Sequence, residues 1–192
     1  SFERAVQLKP DFTAAHESLM HALFVSGQKD SALSAFAPTI QKMPGSIDLH
    51  VSYATALIQT ERYSEAEAVL SEARLKFAPN KALEYNLGWL WSAQGQFAKS
   101  LENFEAALRI DPKDPNVLSY MGRAFLATSE PEAAAKVLKK ALVVEPENQV
   151  ALAYLALAYR LLGDEREVDL CGYDHLVREY ELETPEGFAD TE

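Results

Sequence analysis

Cysteine is almost absent from this 192-residue chain: Cys171 stands alone, which leaves no disulfide framework and no cysteine-rich zinc site. A reducing cytoplasm suits such a chain. A nucleophilic role for Cys171 needs a neighbouring base, and His175, four residues on, supplies one only if that stretch is helical; a structural thiol is the other reading. Histidine is scarce too, with four in all. His16-Glu17 followed by His21 has one residue too many for the zinc-protease helix motif, so its histidines do not share a helix face. His21, His50 and His175 are followed two places on by Leu23, Ser52 and Val177, so none begins a two-histidine, one-carboxylate iron site. No glycine-rich loop follows a strand to cradle phosphate. No apolar run approaches a membrane span, and no secretory signal is visible. A Lys/Arg stripe interleaved with aromatics, as a nucleic-acid binder needs, is also missing. These gaps point away from catalysis, bound metal or cofactor, membrane and nucleic acid.

The charge is uneven. The chain carries 29 acids against 18 Lys and Arg, a net of −11. From Asp164 onward there are 11 acids and only Arg166 and Arg178, whereas residues 1–163 hold 18 acids and 16 bases. A nearly neutral body therefore precedes an acidic tail. That tail is either a solvated segment or one that meets a basic surface elsewhere in a longer parent protein.

What the chain does have is a period. Ala5, Thr39, Ala73, Ala107 and Ala141 are spaced 34 residues apart, as are the large apolar Phe2, Phe36, Leu70, Phe104 and Leu138. Gly27, Gly95 and Gly163 keep the same step at two-period intervals, and Pro10, Pro44, Pro112 and Pro146 close the unit, with Pro79 one residue late. Thirty-four residues is the length of a helix-turn-helix repeat. Each unit offers two stretches of helical spacing, for example Leu87, Leu90 and Trp91, then Leu101, Phe104, Ala107 and Leu108. Two helices alone cannot bury those faces; stacking the next unit does, so the expected fold is all-α and quasi-one-dimensional. The glycines fall where a first helix must stop in a left-handed cap. Ser129-Glu130-Pro131-Glu132 reads as a capping box with Pro in the first turn, and Asp164-Glu165-Arg166-Glu167 as a similar acidic start.

The copy from Lys81 to Asp114 carries Leu87-Gly88, Trp91, Gly95, Phe97, Phe104, Ala107 and Pro112, with Ser100 where Ala is usual. The copy from Pro115 to Asn148 carries Met121-Gly122, Phe125, Ala134, Leu138, Ala141 and Pro146. In these offsets the chain resembles the tetratricopeptide repeat family over roughly residues 1–163, with looser units at 13–46 and 47–80 and the first helix of a fifth from 149. The resemblance implies a right-handed α-solenoid that acts as a protein- or peptide-binding scaffold through its concave face. Residues 1–12 fit the second half of a truncated repeat, as if the chain were cut from a longer protein. That end either caps the next unit or favours self-association through Phe2, Ala5 and Leu8.

Carried onto this chain, the concave face would show Glu17, His21, Asp48, Thr55, Gln59, Tyr85, Asn86, Trp89 and Ser92. It would continue through Asn116, Ser119, Tyr120, Arg123, Tyr154 and Arg160. Aromatic and arginine side chains dominate binding hot spots, so Tyr85, Trp89, Tyr120, Arg123 and Tyr154 lead. Asn86 could bond a ligand backbone, and Trp89 is either an exposed anchor or a core residue shared with the next unit. The Lys/Asn clamp that chaperone-binding relatives use for a terminal carboxylate is matched here only by Arg123, Arg160 and Asn86; its lysines are missing.

After Gly163 the period breaks, since Gly172 stands where Phe104 and Leu138 stood. Tyr173, Leu176, Val177 and Tyr180 fit a helix face, while Arg178, Tyr180 and Leu182 alternate with acids as in a strand; a short helix and then an extended piece is expected over residues 164–192. Leu161-Leu162-Gly163-Asp164 with Cys171-Gly172-Tyr173-Asp174-His175-Leu176-Val177-Arg178-Glu179-Tyr180-Glu181-Leu182 resembles a junction in bacterial tetratricopeptide proteins that continue into a 2-oxoglutarate and Fe(II)-dependent oxygenase domain. The resemblance implies iron ligands beyond Glu192, with this chain as a non-catalytic recruitment module.

Overall fold

A computed structural model describes residues 13–167, with nine helices and no strand among them. They are α1 (Thr13–Val25), α2 (Lys29–Lys42), α3 (Ile47–Gln59), α4 (Tyr63–Phe77), α5 (Lys81–Ala93), α6 (Phe97–Ile110), α7 (Pro115–Ala127), α8 (Pro131–Val144) and α9 (Gln149–Leu162). Successive helices pack as antiparallel hairpins, α1 with α2 through α7 with α8, and each second helix packs on the first helix of the next hairpin. First helices also touch one another, α1 on α3, α3 on α5, α5 on α7 and α7 on α9. Second helices make no comparable contact with each other, so the stack curves with its first helices inside. The result is a right-handed α-solenoid.

Local chemistry marks every boundary at the same step. First helices start at Ser46, Asn80, Asp114 and Asn148, whose side-chain oxygens accept from the backbone N–H of Leu49, Leu83, Val117 and Ala151. Each thereby satisfies a donor that the helix cannot reach. Between the two helices of a hairpin the chain turns left-handed at Gly27, Glu61, Gly95 and Ser129, and it does so again after α9 at Gly163, each 34 residues from the last. Three are the glycines that the spacing marks; Glu61 and Ser129 take the same backbone without glycine's freedom. The capping box expected at Ser129 is therefore not formed. Ser129 is the turn residue at φ +63°, and α8 starts at Glu130 without any side-chain cap.

The core is a chain of local clusters. Leu33, Phe36, Leu49, Leu57, Leu70, Leu83 and Leu87 fill the first hairpins. Phe104, Ala107, Val117 and Met121 join the third hairpin to the fourth, and Leu118, Ala134, Leu138, Ala141, Leu155 and Tyr159 fill the last. The small column, Thr39, Ala73, Ala107 and Ala141, is buried throughout, as is the large column, Phe36, Leu70, Phe104 and Leu138. Gly88 and Gly122 let the hairpins close: a Cβ on Gly88 would stand 2.6 Å from the Phe104 ring, and one on Gly122 would stand 2.5 Å from Leu138.

Candidate peptide-binding groove

With hairpin and inter-repeat faces committed to packing, the first helices keep one face turned to the inside of the curve. Its wall is held in register by bonds between repeats. Thr55 on α3 donates to Asn86 Oδ1 on α5 at 3.0 Å, and Asn86 Nδ2 donates to the Ala82 carbonyl at 2.8 Å. The Tyr85 and Tyr120 rings meet edge-on at 5.8 Å, and Tyr85 also lies 6.1 Å from Phe104. Burial, reinforced by Tyr120 and Asp114, pushes the Tyr85 phenol well above its ordinary range. It therefore stays neutral and serves as an amphipathic wall residue.

Towards the first repeats this face opens into a cleft of about 550 Å³ lined by His21, Phe24, Val25, Phe36, Val51, Ser52, Thr55, Ala56 and Gln59. A shallower hollow of about 180 Å³ lies among Lys81, Ala82, Tyr85, Asp114 and Asn116. At its rim Lys81 Nζ bridges Asp114 at 2.6 Å and Asp111 at 2.9 Å, so those acids are already partnered.

The anticipated groove residues divide by burial. His21, Asp48, Gln59, Asn116 and Arg160 are exposed, and Thr55, Tyr85, Trp89, Tyr120, Arg123 and Tyr154 are half-buried. Trp89 packs its body against the core cluster of the first hairpins while staying partly open. Asn86, Ser92 and Ser119 are corrections to the expected ligand-facing set, because all three are buried. Asn86 spends its amide on the bonds just described, and Ser119 donates to the Pro115 carbonyl at 2.6 Å and lies 3.5 Å from Asn148 Oδ1. Ser92 is sealed inside the α5 packing. Arg160 is engaged by Glu167, its Nε 2.7 Å from Oε1. Glu17 sits in α1, with its side chain outside the described set. Phe24, Val25 and Val51, which line the cleft, were missed. Their apolar character reads as core in a sequence, and only the repeat register would have placed them beside His21 and Thr55.

Among the described residues no group of three or more His, Cys, Asp and Glu could hold a metal, and no helix is long and apolar enough to cross a membrane. Cys171, His175 and most of the oxygenase-like junction fall in residues 168–192, outside the described residues, as do residues 1–12.

The sequence model of the tetratricopeptide repeat matches residues 27–84 and 92–156. The chain belongs to the tetratricopeptide repeat family. Among its relatives is the interferon-induced protein with tetratricopeptide repeats 3 of Mus musculus, 34% identical over 127 residues, which cover 60% of this chain and 32% of the mouse protein. Human superkiller complex protein 3 is 26% identical over 135 residues, 67% of this chain and 8% of that protein. The chain thus spans a third or less of the length of these two relatives. A solved structure of the APC/C hetero-tetramer Cut9-Hcn1 superposes with a TM-score of 0.72 at 19% identity, over 83% of this chain and 32% of that one. At such identity the likeness is one of fold, and the tetratricopeptide solenoid is what the two share.

Proposed function

We propose that this tetratricopeptide solenoid is a recognition module that holds an extended segment of another protein against the inner face of its first helices. The observation that carries this reading is the row His21, Thr55, Trp89 and Arg123. These side chains stand at one position of successive repeats, His21 exposed and the other three partly so, and His21 and Thr55 line an apolar cleft of about 550 Å³. A concave wall with partly exposed aromatics and a few polar groups is what a peptide site requires. Affinity capture with the full chain, set against a Trp89→Ala/Tyr120→Ala double variant, is the test. A partner retained by the wild type and lost by the variant, with helicity unchanged, supports the groove. A partner retained equally by both moves the binding surface elsewhere.

In a longer parent, the same module would recruit a substrate to a 2-oxoglutarate and Fe(II)-dependent oxygenase domain. What supports that second reading is the likeness of residues 161–164 and 171–182 to such a junction. A parent gene that continues past Glu192 into a domain with His-x-Asp and a distant His would uphold it; a stop codon there would end it.

A further inference from the structure

The edge of the solenoid beside the fourth hairpin departs from the repeat pattern. After Glu132, helix α8 carries Lys136, Lys139 and Lys140 and no acid. One period earlier, on α6, the same places hold Glu102, Glu105 and Ala106, so stacking does not require lysine there. The last turn of α8, the first turn of α7 and the loop before α7 frame a hollow of about 550 Å³ lined by Pro112, Lys113, Leu118, Lys140, Val143 and Val144. Leu118 is buried, yet Val143 is 84% exposed and Val144 46%, so the apolar surface is left open to water. Lys113 and Lys140 are exposed, and their ammonium groups make no hydrogen bond or ion pair with any described residue. Of the acids in the adjoining loops, Asp111 and Asp114 are held by Lys81, and Glu145 accepts from Asn148 Nδ2 at 2.8 Å. That leaves the exposed Glu147 to set against two lysines.

We propose that residues 168–192 of this chain dock on this edge, with Tyr180 and Leu182 in the hollow and Glu179, Glu181 and Glu183 beside Lys113 and Lys140. The site is separate from the inner face and does not rest on the groove reading. Charge supports the match: residues 168–192 hold eight acids and one arginine. So does the alternation of Tyr180 and Leu182 with the three acids. Along an extended strand alternate side chains point to opposite sides, so the two apolar groups enter together while the carboxylates stay at the wet rim, where lysine stems carry their charges.

Reach supports it too. Glu167 bonds Arg160 of α9, eleven residues from the start of that helix, or about 17 Å at 1.5 Å per residue. The end of α8 lies alongside that start, one helix spacing of about 8–10 Å away, so the hollow is roughly 20 Å from Glu167. Twelve residues separate Glu167 from Glu179; they span about 20 Å on average as a flexible chain and about 18 Å as a helix. Tethering over such a distance holds a segment at an effective concentration of about millimolar, enough to keep a weak site filled.

The test uses the full chain with its one cysteine moved, Cys171→Ser/Thr184→Cys, and a nitroxide attached there, read by NMR through the backbone amides. The label should broaden the amides of Lys113, Val143 and Val144 and spare those of Thr55 and Trp89. Lys113→Glu/Lys140→Glu should abolish that broadening with circular dichroism and Tm unchanged, and adding Glu181→Lys/Glu183→Lys should restore it. If a charge variant fails to fold, salt decides on the unaltered hollow: in 1 M salt, where the Debye length is about 3 Å, the broadening should fall at least about twofold. Broadening that is absent or uniform from α1 to α9 overturns the proposal. So does broadening confined to Thr55 and Trp89, which would put the segment in the groove, and broadening at Lys113 and Val143 that neither charge reversal nor salt reduces. A mixture of nitroxide-bearing chain without isotope and isotope-labelled chain without nitroxide completes the test. Broadening at Lys113 and Val143 in that mixture would assign the hollow to the segment of a second copy and overturn the proposal.

Discussion

Gly88 owes its identity to Phe104, since any larger residue would push a carbon to 2.6 Å from that ring, which is buried and cannot swing away. Gly88→Ala should therefore cost about 1–3 kcal/mol, the usual range for overpacking a filled core, measured by urea unfolding. The turn residues argue the reverse case. Glu61 and Ser129 hold φ near +60° where Gly27, Gly95 and Gly163 stand in other repeats, and an L side chain in that region costs about 1–2 kcal/mol. Ser129→Gly should raise stability by up to about 1 kcal/mol, the larger freedom of glycine in the unfolded chain offsetting the rest; an unchanged or lowered denaturant midpoint would contradict this. These residues also show how far the sequence could be read. The left-handed turn was legible at three positions because glycine announces it. It was hidden at Glu61 and Ser129, where only the 34-residue register reveals it, and Ser129 followed by Pro131 imitated a helix start.

At the scale of the helix, starts are secured on alternate elements. Ser46, Asn80, Asp114 and Asn148 cap first helices, whereas the second helices begin at Gln28, Arg62, Gln96 and Glu130 without side-chain caps and rely on packing. Asp114 both caps α7 and meets Lys81 of α5. Asp114→Asn should keep the cap and lose the charge; Asp114→Ala should lose both, with the cap worth about 1 kcal/mol. The same cluster sets a pH dependence. The hydrogen bond from Lys81 holds the Asp111 carboxyl below its ordinary range, so this interaction stabilises the fold above the unfolded-state carboxylate pKa and is lost as pH falls through the depressed folded value. Its bonds to Asp114 and Asp111 raise the Lys81 ammonium, so its contribution is complete below the ordinary lysine pKa and is lost as pH rises through the raised one. The stability gap between the wild type and Lys81→Gln, followed by thermal melts, should thus be widest near neutrality and narrow at both extremes. A gap independent of pH would leave the bridge without a role. Element positions were legible because apolar spacing and turn residues recur together. The lining of the groove was legible only in part: Asn86 and Ser119 look like ligand donors in a sequence, yet each closes a bond that only the stacked helices bring together.

Across the whole molecule, stability is assembled from neighbours. The cluster around Leu57, Leu70 and Leu87 and the cluster around Leu138, Leu155 and Tyr159 are joined through Phe104, Ala107, Val117 and Met121. In a quasi-one-dimensional stack a local defect weakens its own interface first, because no residue contacts distant repeats. Ala107 is fully buried where α6 meets α7, so Ala107→Leu should cost about 1–3 kcal/mol and act at that joint. Hydrogen exchange should then show protection falling most in α6 and α7, less in α9, and least in α3. The groove makes this consequential, since its apolar cleft lies on one side of the joint and Arg123 on the other. A ligand that engages both would hold the two halves in register, and its binding should restore protection at the weakened interface. Protection that drops uniformly from α1 to α9 would instead mean a single cooperative unit, and the coupling of ligand to joint would have no basis.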